Sequence, residues 1–309
     1  MEKPAKILVV GDKNIAGFSL IQYFKSNGFN NIFSESTCDV DLMDQKSVRR
    51  FFQMERPMYV FLTHVKSGGI AANMKYPAEF LYCNLQIQNN VIHYSFEFGA
   101  KKLLFLGSSC AYPLDCSQPI KEEHLLSGQL ERTSESYAIA KIAGMRMCRS
   151  YNKQYGTKYI SIIPATIYGP NDDFNPDSAH VIPSLVRRFH KARFENEKTV
   201  TVWGTGRARR EFLYAEDMVS ACIFLIDNHD APEITNVGYG QDISILELAE
   251  LIGKVVGFDG QIVPDKTKPD GAPRKLLDSN KITNLGWSAK ISLEEGIRRT
   301  YNWYKEGIK

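Results

Sequence analysis

Tyr137 and Lys141 stand four residues apart in Tyr137-Ala-Ile-Ala-Lys141, within a stretch patterned as a helix from Glu135 to Tyr155. That spacing puts both side chains on one helix face. A phenol beside an ammonium suits one task well: protonating a carbonyl oxygen as hydride reaches its carbon. A free Tyr titrates near ~10, and a neighbouring Lys⁺ draws it down. Ser108 and Ser109 follow the strand-like run Lys102–Leu106. Ligands of parallel sheets sit at such carboxyl ends, and a hydroxyl there orients the carbonyl. Tyr and Lys four apart are also common on ordinary helix surfaces. The chemistry therefore rests on what surrounds the pair.

The first strand-like run, Ile7–Val10, leads into Gly11-Asp-Lys-Asn-Ile-Ala-Gly17 and then a helix over Phe18–Ser26. Gly11 and Gly17 fit a G-x-x-G-x-x-G frame for a dinucleotide. The first glycine makes the turn, the last packs helix on strand, and the helix N-terminus offers N–H groups and a positive dipole to the phosphates. Asn14 holds the middle position. Asn tolerates left-handed backbone, so it is expected to make the turn there. An ordinary strand-to-helix turn is the bland alternative. Glu35 follows the second strand, Asn31–Ser34, where an acid accepts the ribose hydroxyls of NAD and repels a 2′-phosphate. Lys13 points the other way, toward pairing with that phosphate. Asp41-Leu42 is placed to cup the adenine, or to form a polar turn.

These groups need a frame. The first half alternates strands (Ile7–Val10, Asn31–Ser34, Met58–Thr63, Lys102–Leu106, Tyr159–Ile163) with helices (Phe18–Ser26, Gln45–Glu55, Tyr82–Gly99, Glu135–Tyr155). Such alternation predicts an α/β fold, a doubly wound parallel sheet of Rossmann type. After Pro164 the pattern changes. A loop is expected over 168–178, a helix over Val181–Ala192, a strand over Thr199–Trp203 and a basic turn over Gly204–Arg210. A helix over Asp217–Asp227 and a strand over Ile234–Val237 follow, then helices over Leu246–Val256 and Leu293–Trp303. The expected division is a dinucleotide-binding domain, 1–167 with 210–238 returning to it, and a smaller C-terminal α/β substrate domain, 168–209 with 239–309.

Composition excludes other classes. Of 309 residues, 43% are apolar and 24% charged, and 38 basic against 35 acidic residues leave a net charge of +3. That balance argues against nucleic-acid or polybasic membrane binding. No apolar run approaches the ~20 residues of a membrane span. With a strand-like segment already at Lys6–Val10, no signal peptide is expected. Cys38, Cys83, Cys110, Cys116, Cys148 and Cys222 lack C-x-x-C spacing. They are read as reduced thiols of a cytoplasmic protein, with no metal site.

Motifs along nearly the whole chain carry a resemblance. They are Gly68-Gly-Ile-Ala-Ala-Asn73, Leu106-Gly-Ser-Ser-Cys-Ala-Tyr-Pro113, Tyr137-Ala-Ile-Ala-Lys-Ile-Ala-Gly144 and Tyr168-Gly-Pro170. Others are Ser178-Ala-His-Val-Ile-Pro183, Arg187-Arg-Phe-His190, Val202-Trp-Gly204, Arg210-Glu-Phe-Leu213 and Pro273-Arg-Lys-Leu-Leu-Asp278. The chain resembles the GDP-L-fucose synthase family of extended short-chain dehydrogenase/reductases. The resemblance implies C3/C5 epimerisation, then C4 ketone reduction, of a GDP-4-keto-6-deoxy-hexose with NADP(H), NAD(H) remaining open. It assigns catalysis to Ser108, Tyr137 and Lys141, with Cys110 and His180 as the acid–base pair that inverts carbons beside the ketone. Unperturbed thiol and imidazole pKa values, ~8.5 and ~6.5, suit that task.

By the same resemblance, Gly11, Lys13, Asn14, Ile15, Gly17, Asp41, Leu42, Tyr137, Lys141, Pro164, Ile167 and His180 hold the cofactor. Ser109, Arg188, Trp203, Arg210 and Lys275 hold the nucleotide sugar; Arg forks match its diphosphate. A homodimer is expected. His64 is expected to be a local packing or hydrogen-bonding residue, and Arg207 and Arg209 surface residues of the basic turn. Three positions depart from the family: Asn14 replaces the middle Gly, an Arg used near the 2′-phosphate is replaced around Glu35 to Thr37, and Thr166 replaces the usual Asn before Tyr-Gly-Pro. They leave open a C4-reductase of another GDP-4-keto sugar, such as a keto-heptose for surface polysaccharide. A non-catalytic nucleotide-sugar-binding protein is a third reading.

Overall fold

A computed structural model describes residues 1–64, 66, 69–228, 234–268 and 270–307. Gly68, the first residue of one family motif, lies outside the described residues. The strands are β1 (Ile7–Val10), β2 (Ile32–Ser34), β3 (Tyr59–Leu62), β4 (Lys102–Leu106), β5 (Tyr159–Pro164), β6 (Thr166–Tyr168), β7 (Thr199–Trp203), β8 (Arg209–Tyr214), β9 (Ile234–Val237), β10 (Asp242–Ser244), β11 (Gln261–Asp265) and β12 (Arg274–Lys275). The helices are α1 (Ile15–Ser26), α2 (Glu35–Cys38), α3 (Gln45–Glu55), α4 (Ile70–Lys75), α5 (Pro77–Glu97), α6 (Glu135–Tyr155), α7 (Val181–Phe194), α8 (Ala215–Asn228), α9 (Ile245–Val256), α10 (Asn280–Asn284) and α11 (Leu293–Gly307).

Six parallel strands form the large sheet in the order β2-β1-β3-β4-β5-β9. Ile7, Leu8, Val9 and Val10 are buried, as are Leu103, Leu104, Phe105 and Leu106, because helices cover both faces. The strand order reverses between β1 and β3. The crevice at a topological switch point opens beyond the carboxyl ends of these strands. Gly11 and His64 stand there. α5 begins at Pro77, earlier than the expected Tyr82. Proline fits the first turn of a helix because its missing N–H has no intrahelical partner.

A second apolar cluster gathers Ile182, Leu185, Val186 and Phe189 of α7, Leu248, Ala249 and Ile252 of α9, and Ile297 and Tyr301 of α11. These helices pack near the strands centred on β8, which pairs antiparallel with β10 and parallel with β12 and β6. The basic turn expected over 204–210 stops short: Arg209 and Arg210 open β8. They read as turn residues because their partners are distant. Arg209 pairs with Asp242 at 2.7 Å and Glu247 at 3.3 Å. Of the segment 210–238, only β9 enters the large sheet as a strand, and α8 packs on α1. No described helix is long and apolar enough to cross a membrane.

Candidate active site

α6 lies unusually close to β4. A Cβ on Gly144 would fall 2.3 Å from the Phe105 ring, so only glycine permits this approach. Lys141 thereby reaches across Phe105, its ammonium 5.0 Å from the ring centre, to donate to Leu106 O at 2.9 Å and His64 O at 3.3 Å. The side chain is 2% exposed. Burial pulls its pKa down to about 7. One turn earlier on the helix, the Tyr137 ring lies 6.0 Å from the ammonium.

Ser108 closes the triad. Its hydroxyl accepts the Cys110 N–H at 3.2 Å and lies near enough to the Tyr137 phenol to ease its ionisation. The expected downward tuning of Tyr137 by Lys141 is not what this pocket produces. Burial, and then the nearby Cys110, push the phenol above its ordinary range, while Ser108 pulls it back. A phenol so placed stays protonated at neutral pH, as a proton donor must.

Cys110 faces cations. Lys275 Nζ stands 3.9 Å from its sulfur, and Arg210 also feels the thiol. Register explains the pair: Lys275 of β12 lies opposite Arg210 of β8. Arg210 Nη1 donates to Arg209 O at 2.8 Å and Ala272 O at 2.7 Å; burial lowers its pKa, and Cys110 opposes that. Next to it, the buried Glu211 carboxylate accepts the N–H groups of Gly240 at 2.7 Å and Leu277 at 2.9 Å. Burial pushes Glu211 up to about 7. It knits β8 to the segments on either side, a role that pattern reading missed.

His180 immediately precedes α7 and does not cap it through its side chain. Surrounding protein lowers its pKa, and Asp173 pushes it back up. Among the described residues no hydrogen bond joins it to Ser108, Cys110 or Tyr137. Its loop is anchored by Phe174, which stacks on Tyr304 at 4.6 Å and tilts against Trp303 at 5.8 Å. Arg188 donates to the carbonyl and, at 2.7 Å, the hydroxyl of Thr201. Thr201 and Trp203 share one face of β7. Trp203 is 56% exposed, with Lys268 Nζ 5.6 Å above its ring. Ser109 is half-buried at the start of the turn Ser109–Ala111.

The glycine loop fits a dinucleotide's phosphates. Gly11 has φ +104°, and a Cβ on Gly17 would lie 2.1 Å from Gly11 O. The first turn of α1 carries no acid, so its positive end is unopposed, with Ile15 in that turn. Asn14 does not adopt the expected left-handed backbone: its φ is −96°. It caps α1 instead, accepting Gly17 N–H at 2.9 Å and donating to Thr63 O at 3.0 Å. The next carbonyl, His64 O, receives Lys141. Burial, then Lys141, pull His64 down to about 4, so its ring is neutral. Lys13 is exposed at the loop rim. Asp41 forms a polar turn, accepting Met43 N–H at 2.9 Å, and Leu42 packs against the large core. Buried Pro164 ends β5, and Ile167 of β6 packs against the same core. Among the described residues no group of three or more His, Cys, Asp or Glu is placed to hold a metal.

Residues 7–238 match the NAD dependent epimerase/dehydratase family. GDP-L-fucose synthase 1 of Arabidopsis thaliana is 49% identical over 99% of this chain and 95% of its own length. The chain belongs to the GDP-L-fucose synthase family. A second family member, GDP-L-fucose synthase of Escherichia coli K12, is 44% identical over 97% of both chains. Among solved structures, the NADP-bound GDP-mannoheptose C4 reductase of Campylobacter jejuni superposes with a TM-score of 0.91, at 40% identity over 99% of both chains.

Proposed function

We propose that this protein is a nicotinamide-dependent epimerase-reductase of a GDP-4-keto-6-deoxy-hexose, yielding a GDP-L-fucose-type sugar. One observation carries the reading: Ser108, whose hydroxyl accepts the Cys110 N–H, and the Cys110 thiol both act on the Tyr137 phenol, so a thiol lies beside the group that would protonate the ketone oxygen. A 4-ketone acidifies the hydrogens at C3 and C5. Cys110 and His180 serve as the pair that removes a proton from one face and returns one to the other. Ser108 and Tyr137 hold the enolate oxygen by hydrogen bonds meanwhile. A nicotinamide dinucleotide, when bound, would supply hydride to C4. Tyr137 then gives its proton to the C4 oxygen, and Lys141 orients the ribose.

Gly11, Asn14, Ile15 and Gly17 would hold the pyrophosphate, with Pro164 and Ile167 beside the nicotinamide and Asp41 and Leu42 beside the adenine. Lys275 and Arg210 would bind the substrate's diphosphate, with Arg188 and Trp203 on the nucleotide. We assign residues 1–167, with α8 and β9, to the dinucleotide and the rest to the sugar nucleotide. A cytoplasmic homodimer pairing through helices that flank the sheet completes the proposal.

Thr166 and the likeness to the mannoheptose C4 reductase favour a second reading, C4 reduction of a GDP-4-keto-heptose. Solvent deuterium separates the two. The epimerase-reductase incorporates it at C3 and C5 without any dinucleotide, and Cys110→Ser stops that incorporation. No exchange removes the epimerase half.

A further inference from the structure

Glu35 begins α2 at the carboxyl end of β2, beside the glycine loop; Val9 pairs with Ser34 in the parallel register. Its carboxylate turns into the loop. Oε1 accepts Gly11 N–H at 2.8 Å and Asp12 N–H at 3.2 Å, and Oε2 accepts Gly11 N–H at 3.0 Å. Asp12 accepts the Ser36 N–H at 3.2 Å and its hydroxyl at 3.1 Å. Two carboxyl groups are thus built into one rim of the crevice. With pyrophosphate at the N-terminus of α1, the adenosine ribose falls at this rim.

The rim has little to offer a 2′-phosphate. From Asn31 to Met43 the chain holds Glu35, Asp39 and Asp41 and no Lys or Arg. Lys13 is the exposed cation of the loop, a mobile point charge and not a guanidinium fork. Burial and the neighbouring Asp12 push Glu35 above the usual carboxylate range, against the pull of the loop N–H groups. Partial burial pushes Asp12 up, but the Ser34 and Ser36 hydroxyls outweigh it and leave Asp12 charged. A carboxylate has about four acceptor positions. Three N–H contacts leave Glu35 room for a ribose hydroxyl.

We propose that Glu35 sets coenzyme choice in this chain, accepting the hydroxyls of an unphosphorylated ribose, so that NADH binds at least as tightly as NADPH. This rests on the reductase reading above. It departs from what the NADP-bound neighbour would suggest, because the deciding side chain is this chain's own.

The test is binding, independent of turnover. The full chain is titrated with NADH and with NADPH, following nicotinamide fluorescence, and adenosine 5′-monophosphate and adenosine 2′,5′-bisphosphate are used as competitors for the adenosine half. The wild type is expected to bind NADH as tightly as NADPH or more so. Glu35→Gln keeps an acceptor for Gly11 N–H and drops the charge. It is expected to tighten NADPH about tenfold, roughly 1.4 kcal/mol, and to leave NADH unchanged or weaker. Asp12→Asn provides the same direction should Glu35→Gln lose its native circular dichroism. A wild type that binds NADPH about tenfold tighter than NADH overturns the proposal, as does an NADPH-to-NADH ratio that neither folded variant moves. Failure to bind either dinucleotide overturns the reductase reading itself, and this proposal with it.

Discussion

Lys141→Met isolates the most deeply buried charge of the site. Among the described residues the ammonium pairs with no carboxylate; two backbone carbonyls receive it. Burial takes its pKa from 10.5 to about 7. Between those values the unfolded chain binds a proton that the folded chain has released, so stability rises with pH. The burden is full below pH 7 and gone above 10.5. At ~1.4 kcal/mol per pH unit its ceiling is about 5 kcal/mol. Methionine replaces the aliphatic stem of lysine without its charge, while the loss of both hydrogen bonds costs about 1–3 kcal/mol. Urea unfolding followed by circular dichroism at fixed ionic strength measures the balance. From pH 7 to pH 9 the wild type is expected to gain about 2 kcal/mol relative to Lys141→Met. The window avoids His64, which titrates lower in both proteins. Parallel stability curves across that window would refute the reasoning, since they would mean the ammonium is not desolvated.

Asn14→Ala removes the cap of α1 and the tie to Thr63, and should cost about 1–2 kcal/mol in thermal unfolding; Asn14→Asp keeps an acceptor for Gly17 and should recover the cap's share. Phe174→Ala removes the stack on Tyr304, worth about 0.5–1.5 kcal/mol. Deuterium exchange at C3 and C5 should slow more than hydride transfer, and Phe174→Tyr should restore it; equal slowing of both steps would show that the loop does not act through His180. Gly144→Ala drives a methyl into Phe105 and should destabilise by about 1–3 kcal/mol. Lifting α6 also withdraws Lys141 from its carbonyls, so kcat should fall further than the loss of fold explains, read as activity per folded molecule.

The large sheet was legible because buried parallel strands are short apolar runs and their helices alternate with them. α3 and α6 begin and end where the pattern places them, and Gly156, at φ +68°, stops α6 as a left-handed cap. β8 was not legible. Arg209 and Arg210 look like a basic turn, and Glu211 carries no signal, until Asp242, Ala272, Gly240 and Leu277 are folded against them. Asn14 failed for the same reason. Its residue type suggested a backbone conformation, whereas its role comes from an amide bond to Thr63, 49 positions away. The residue types proposed for catalysis show by spacing, but the backbone carbonyls that hold Lys141 belong to no residue type and leave no mark in a sequence.

That difference bears on how one pocket would run the two proposed reactions. Epimerisation must precede reduction, because reduction destroys the ketone that acidifies C3 and C5. The pocket therefore has to hold an enolate oxygen without a premature, irreversible step. Tyr137, held above its ordinary pKa by burial and Cys110, would on the proposed reading bind that oxygen through a retained proton. Lys141, its pKa drawn down to about 7 by burial, rests on backbone carbonyls 35 and 77 positions away. The cations nearest Cys110 come instead from β8 and β12. Tyr137, Lys141 and Cys110 thus stand at the large sheet, and the cations proposed for the diphosphate stand on the second one. On the proposed reading the sugar ring meets the first set while the diphosphate rests on the second.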